Sequence, residues 1–541
     1  MNTRAGRKPR TLPSVALSLL TTGLLAACAP MPAAKSDVDV IIAGGLAFDG
    51  SDAPGRKVDV AIRGERIVAV GPDLAARFHA DRIIDARGKL VAPGFIDAHT
   101  HPDTYIQSGD PDKRRADPWL HQGVSTIVIG IDGSGTPDIA AQARTLETGG
   151  IGTNVAAYVG FGPVRGRVIG QDDRAPTNEE LDRMRALVAK GMCEGALGIS
   201  TGLFYAPQSF ASTDEVVELA REAAVRGGLY DTHQRDESSY SIGLLGSIDE
   251  TLEIGRRASI PVHIGHIKAL GLDVHDQAGA VIERIRQARA GGQRVTADQY
   301  PWLASATGLG AALLPRWAQD GGRQAMLQRF DEPATRARIR EAMAENLRRR
   351  GGADALLFIG ADQPWTGHTL QQMATQWQID PLDAAIRVLQ AGGAGAQKIA
   401  SFNMAQADVE LFMQQPWVLT ASDGGDGHPR QHATFPEKYA KFVVGKPVIP
   451  LQAFIHRSTG LTADTLGLAQ RGYLREGHFA DIVVLDPDRY APRADYRNPS
   501  LLSEGVEYLF VNGTAVLDDG QARQVLPGRA LLRIPPAGTC D

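Results

Sequence analysis

The sequence predicts an α/β protein: a (β/α)8 TIM barrel with a small β-sandwich assembled from the two ends of the chain. Three observations predict it. Through the middle of the 541 residues, eight short apolar, strand-like runs alternate with helix-like stretches, which is the rhythm of a parallel barrel. Strand-like segments bounded by Gly-containing turns stand at both ends. The length calls for one large fold with additions, since a typical domain has about 150 residues.

The elements follow in chain order. Residues 1–27 read as a targeting segment, with Arg4, Arg7, Lys8 and Arg10 unaccompanied by any acid and then the apolar run from Val15 to Ala27. The segment ends in Leu25-Ala26-Ala27-Cys28, which resembles a bacterial lipoprotein signal. Cys28 is therefore expected to be lipidated, giving an exported protein anchored in the bacterial cell envelope and facing the periplasm. Residues 28–37 form a linker. Residues 38–92 supply the first part of the sandwich, with strands at Val38–Ala43 and Val58–Val70 and a turn at Asp49-Gly50-Ser51. The barrel takes residues 93–465. Its strands are Phe95–His101, Ser125–Ile131, Asn154–Gly160, Ala196–Thr201, Leu229–His233, Pro261–His266, Arg294–Tyr300 and Val418–Asp423. Thr177 and Glu180 make a capping box for a helix between the third and fourth. Residues 302–416 are an insertion, expected to serve as a lid or rim. Residues 466–535 return to the sandwich through Ala480–Leu485 and Tyr508–Val511, with turns at Asn512-Gly513 and Asp519-Gly520.

Composition narrows the function. A chain 43% hydrophobic and 22% charged is globular. A net charge of −5 offers no electrostatic reason to bind nucleic acid. Three cysteines cannot build a disulfide framework; Cys193 and Cys540 either pair or stay as two thiols.

The informative residues stand at the ends of the barrel strands, where active sites of this architecture form. There the apolar runs give way to His99 and His101, Asp132, His233, His266 and Asp423. His99 and His101 are two apart in an extended segment, so both rings project from one face. Imidazoles mixed with carboxylate favour zinc, one ion or two, with Asp132 placed to bridge. His79, His121, His275, His368, His456 and His478 lack this placement and read as surface or capping residues. Gly198-Ile199-Ser200-Thr201-Gly202 fits the nucleophile elbow of serine hydrolases. The elbow needs a strand–Ser–helix turn, and Pro207 argues against an immediate helix.

Val91-Ala92-Pro93-Gly94-Phe95-Ile96-Asp97-Ala98-His99-Thr100-His101 resembles the first-strand signature of the amidohydrolase superfamily. The closer resemblance is to the D-aminoacylases, or N-acyl-D-amino-acid deacylases. It rests on Gly198–Pro207, Thr232–Glu237, Pro261–Lys268, Val295–Pro301, Ser422–Gly424, His428-Pro429-Arg430, Thr434-Phe435-Pro436 and the stretch from Arg471 to Val484. It implies a distorted, metal-dependent (β/α)8 barrel with a two-ended sandwich. It also implies that His99, His101, His233 and His266 bind zinc and that Asp423 is the catalytic acid–base. Lys268, Tyr300 and Arg430 match positions around the substrate, its carboxylate suiting Tyr300 and Arg430, and Ser305 is grouped with them. An arginine can clamp a carboxylate with two parallel hydrogen bonds. Two departures stand out. Asp132 replaces a metal-bridging cysteine, and Phe161-Gly162-Pro163 replaces a Gly-His-Gly, so Phe161 is expected to alter substrate contact. Other amidohydrolases bridge with a carboxylated lysine on the fourth strand; the nearest candidate, Lys190, falls in the preceding helix.

The expected activity is zinc-dependent hydrolysis of a linear amide, the deacylation of small N-acyl-D-amino acids, with the D preference resting on resemblance alone. The alternatives are another amide, such as a D-configured dipeptide or a cyclic imide, or a catalytically silent binding lipoprotein. Arg316 and the insertion are candidates for shaping the side-chain pocket.

Overall fold

The computed structural model describes residues 36–393 and 397–540. The targeting segment and Cys28 lie outside the described residues. No helix among the described residues is long and apolar enough to cross a membrane.

The barrel strands are Phe95–Asp97, Val124–Ile129, Asn154–Ala157, Gly198–Gly202, Leu229–His233, Val262–Ile264, Val295–Gln299 and Val418–Thr420. All neighbours pair in parallel. These strands are buried almost throughout, polar residues included, because helices cover one face and the packed barrel interior the other. The first strand is shorter than the sequence suggests. It ends at Asp97, and His99 to His101 lie beyond it, where Thr100 bridges to Gly424. Backbone bonds from Asp423 N to His99 O (2.8 Å) and from His101 N to Gly424 O (2.8 Å) join the eighth strand to the first. The seam of the barrel is thus stitched by the candidate site residues themselves.

The third strand is split. Asn154–Ala157 pairs with the second strand, and after Tyr158 the pair Val159–Gly160 continues to the fourth. The lower half of the third strand therefore faces a gap, and the C-terminal tail fills it: Val155 N donates to Arg529 O (2.8 Å) and Leu531 N to Val155 O (2.7 Å). Cys540 at the end of this tail is joined to Cys193 by a disulfide.

Between the third and fourth strands, Asn178–Cys193 is helical, and Thr177 and Glu180 form the expected capping box: Glu180 N donates to Thr177 Oγ1 (3.2 Å) and Thr177 N to Glu180 Oε2 (2.8 Å). One sheet beside the barrel is wholly N-terminal, made of Ser36–Ala43, Asp59–Arg63, Arg66–Gly71 and Phe78–Asp85. The long run Val58–Val70 is two strands rather than one, folded at Gly64, whose φ of 54° suits glycine. A second sheet joins both termini, with Leu90–Pro93 antiparallel to Ile482–Leu485, and the two sheets share an apolar core that includes Ile62, Ile84 and Val484.

The insertion is an α/β unit in its own right. Ala304–Gly308, Lys398–Phe402 and Leu356–Phe358 form an antiparallel sheet in that order. Helices such as Pro333–Arg349 and Pro381–Ala391 pack into a separate hydrophobic core with Leu313, Met343 and Leu389. Residues 305–308 and Lys398 look into the barrel mouth.

Candidate metal centre and its cavity

A cavity of about 530 Å³ opens at the C-terminal ends of the barrel strands, lined by His101, Asp132, His233, His266 and Asp423 among others. The donors fall into two groups that share one residue. His99, His101, Asp132 and Asp423 bring their ligand atoms within 4.8 Å of one another, as do Asp132, His233 and His266. Asp132 Oδ1 lies 3.3 Å from His99 Nε2 and 3.3 Å from His266 Nε2, and its Oδ2 lies 3.5 Å from His101 Nε2. His233 Nδ1 and His266 Nε2 face each other at 2.9 Å. Asp132 is the one donor common to both groups.

These side chains are buried yet incompletely hydrogen-bonded. Both ring nitrogens of His99, Nε2 of His233 and Oδ1 of Asp132 have no hydrogen-bond partner among the described residues. Buried polar atoms left in this state cost free energy unless a ligand takes them up. Nitrogens and carboxylate oxygens converging at these separations fit a cation of the zinc type.

The backbone carries strain at the same place. Asp132, His266 and Asp423 all have positive φ, at 54°, 34° and 48°, a conformation uncommon outside glycine. Each is pinned by a buried partner. Gln208 Nε2 donates to Asp132 O (3.0 Å), His266 N to Asp298 Oδ1 (2.7 Å), and Asp423 N to the His99 carbonyl.

Electrostatics sort the acids. Burial pushes Asp423 up, but the Arg430 guanidinium and His266 outweigh it and hold the carboxyl well below the usual range. Arg430 Nη2 lies 2.9 Å from Asp423 Oδ2, while Nε and Nη1 have no partner and so retain hydrogens for another acceptor. Burial likewise opposes ionisation of Glu237, and Lys268, His233 and His266 overcome it. Burial and Lys268 lower the proton affinity of His266, but Glu237, Asp132 and Asp423 raise its pKa to about 9.

The structure brings together His99, His101, Asp132, His233, His266 and Asp423, with Lys268, Ser305 and Arg430 on the same cavity. Tyr300 stands behind that wall, its ring 4.7 Å from the Arg430 guanidinium carbon and its hydroxyl without a partner. Phe161 lies elsewhere: it is wholly buried in the apolar core around Val159, Val164 and Leu203. It has no place in the cavity wall, because the helix Phe161–Val168 begins at that residue and turns its ring inward. Arg316 is also outside this cavity and stacks on Phe204 at 4.0 Å. Ser200 is not a free nucleophile, since its Oγ donates to Asp231 Oδ2 (2.6 Å) and accepts from Gly133 N (3.0 Å). Lys190 pairs with Asp138 (2.6 Å) on the surface, away from the donors.

Three supporting residues escaped the sequence reading. Glu237 Oε1 accepts from Lys268 Nζ (2.6 Å) and lies 3.2 Å from His266 Nδ1. Asp298 Oδ2 accepts from His263 Nε2 (2.8 Å) and lies 3.6 Å from His99 Nδ1. Glu237 sits in the motif Thr232–Glu237 and Asp298 in Val295–Pro301. His263 sits in Pro261–Lys268 and is a polar residue inside the strand Val262–Ile264.

A closed parallel barrel with mixed His and Asp donors at its mouth defines the class of metal-dependent (β/α)8 hydrolases. The model of the amidohydrolase family matches residues 82–517. D-aminoacylase of Alcaligenes xylosoxydans xylosoxydans is 32% identical, over 92% of this chain and 98% of its own. N-acyl-D-aspartate deacylase of the same organism is also 32% identical, over 92% and 96%. The structure of N-acyl-D-glutamate deacylase from Bordetella bronchiseptica superposes with a TM-score of 0.78 at 30% identity, over 92% of this chain and all of that one; it was solved with zinc and a phosphonate that mimics the tetrahedral intermediate. The chain belongs to the amidohydrolase family, on its D-aminoacylase branch.

Proposed function

We propose that the protein is a zinc-dependent deacylase that splits N-acyl-D-amino acids into a carboxylate and a free D-amino acid. The observation that carries this reading is Asp423, ionised and ion-paired with Arg430, with its other oxygen 3.2 Å from His101 beside the shared donor cluster. His99, His101, Asp132, His233 and His266 would hold one or two zinc ions, Asp132 being common to both groups of donors. Zinc, when bound, supplies Lewis acidity and lowers the pKa of water toward about 7.

The chain's own groups do the rest. Asp423 accepts the proton of the attacking water and returns it to the amide nitrogen, because an amine leaves only when protonated. The free Nε and Nη1 of Arg430 suit the substrate carboxylate, with Tyr300 backing the guanidinium, and Lys268 stands on the same cavity. Ser305 Oγ, also without a partner, faces the same space. Glu237 pairs with Lys268 and holds His266 in orientation, the role a carboxylate plays behind a metal-binding imidazole. The relatives named above act on N-acyl-D-amino acids, which supports the D configuration.

The test is metal analysis followed by chelation and zinc rescue on N-acetyl-D- and N-acetyl-L-amino acids. Rescue on the D series is expected; a preference for the L series, or no turnover with zinc restored, overturns the reading. Asp423→Asn is expected to keep its metal and lose about 10²–10⁴-fold in turnover.

We propose further that the chain is exported and held on the envelope by a lipid at Cys28. The Cys193–Cys540 bridge supports this, since such bonds persist in oxidising compartments. Cys28→Ala should move the protein from the membrane fraction to the soluble one, and unchanged fractionation would overturn the anchor.

A further inference from the structure

Arg316 stands outside the catalytic cavity and on a second one. This cavity, of about 380 Å³, forms where the insertion packs on the barrel. The insertion brings Leu314, Arg316, Trp317 and Ala342, and the segment after the fourth barrel strand brings Leu203 and Ser209. Two other arginines on this wall are already engaged, Arg235 with Glu250 (2.9 Å) and Arg349 with Glu345 (3.3 Å). Arg316 makes no ion pair among the described residues. Its Nη1 donates to Ala311 O (3.0 Å), and its Nη2 is buried without a hydrogen-bond partner among the described residues, as is Ser209 Oγ. Burial lowers the pKa of Arg316 to about 10 and Arg350 adds to the fall, while Tyr240, Tyr205 and Asp236 oppose it. Asp236 acts across space, because its oxygens accept from Ser238 N (2.9 Å), Ser241 N (2.6 Å) and Gly243 N (3.0 Å).

A charged group with an unmade hydrogen bond in partly apolar surroundings costs free energy that a bound anion recovers. The lining says which anion. One open guanidinium nitrogen and one hydroxyl suit a head group with two oxygens and a single charge. Glu345, also on the wall, opposes a doubly charged head. Leu203, Leu314, Trp317 and Ala342 offer apolar surface to a hydrocarbon body. We infer that this cavity binds a monocarboxylate with a short apolar chain, its head held by Arg316 and Ser209. The site lies beyond the deacylase reading and does not depend on it. The Arg316 guanidinium carbon is 4.0 Å from the centre of the Phe204 ring, and that ring lines the catalytic cavity with its centre 5.6 Å from that of His233. A ligand on Arg316 is thus separated from a metal donor by Phe204.

The test titrates the zinc-loaded protein with hexanoate and with hexan-1-ol, following tryptophan emission. The signal of the site is the part of the response that Trp317→Phe removes, which sets aside any hexanoate bound in the catalytic cavity. Hexanoate should give a saturable change in that part, and hexan-1-ol should need a concentration at least about 10-fold higher. Arg316→Met should raise the half-saturating hexanoate concentration about 10–100-fold, the range for a charged hydrogen bond, and Arg316→Lys should recover part of the loss. Should Arg316→Met fail to give a cooperative melting curve, Ala342→Trp decides in its place: it narrows the cavity and leaves the guanidinium intact, and it should abolish the response. No saturable change with hexanoate, an equal response to hexan-1-ol, or the same half-saturation in the deciding variant as in wild type overturns the inference.

Discussion

The barrel mouth and the layer just beneath it contain the same kinds of side chain, arranged to opposite ends. In the mouth, nitrogens of His99, His233 and Arg430 and the hydroxyl of Ser305 are buried and unclaimed among the described residues. One layer down, His263 is held between Thr296 (2.8 Å) and Asp298 (2.8 Å). Ser200 is likewise held between Asp231 and Gly133, and Thr201 between Tyr230 (3.0 Å) and Thr232 (2.8 Å). The strain differs too, since the three positive-φ site residues all belong to the mouth. The difference is one of degree: these side chains of the lower layer bond to one another and fix the geometry of those above, with Asp231 Oδ1 left over, while those of the mouth stay available to ligands.

The comparison breaks most severely at the mouth. His266→Ala removes a donor from a group of three, and the expected outcome is loss of bound metal, read by elemental analysis, with turnover at background. His266→Ala that retains stoichiometric zinc would remove it from the ligand set. A smaller effect is expected one layer down. Asp298→Asn leaves His263 and the His266 backbone with a weaker acceptor, and zinc affinity should fall about 10–100-fold, the usual cost of disturbing a group behind a metal ligand. Equal affinity in a metal-competition titration would show that the lower layer is packing alone.

The smallest effect sharpens the contrast through pH. Lys438, wholly buried, donates to Thr420 Oγ1 (2.9 Å), and burial, helped by the Arg457 charge, lowers its pKa from 10.5 to about 7. The unfolded chain therefore binds the proton between pH 7 and 10.5 while the folded protein does not. Stability contributed by this group rises with pH across that window, and below it the full penalty applies. Lys438→Met should remove the rise and add about 2–4 °C to the melting temperature at pH 7. Melting curves with the same pH slope as wild type would refute the assignment.

Much of this was legible in the chain because apolar runs mark barrel strands whatever their partners. His99, His101, Asp132, His233, His266 and Asp423 could be picked out because each breaks an apolar run at its end. The site's support could not, because its meaning arises only from distant partners. Glu237 is an ordinary acid until Lys268 and His266 arrive from the next strand. Lys398 belongs to an insertion whose strand order no local pattern specifies. Phe161 shows the opposite error: a motif position suggested a substrate contact, and helix geometry turned the ring into the core. The continuous run Val58–Val70 concealed a hairpin because a single Gly64 carries the whole turn.

The tail that completes the third strand has a consequence for how the barrel can be made. Hydrogen-bonding positions on Val155 are satisfied by Arg529 and Leu531, residues near the very end of the chain. Part of the wall is therefore missing from any nascent chain that has not yet reached Leu531, so this stretch of the barrel closes only after the strands of both terminal sheets have been made. A stop codon just after Ala522 would spare every strand of both sheets and of the barrel, yet leave a slot in the cylinder.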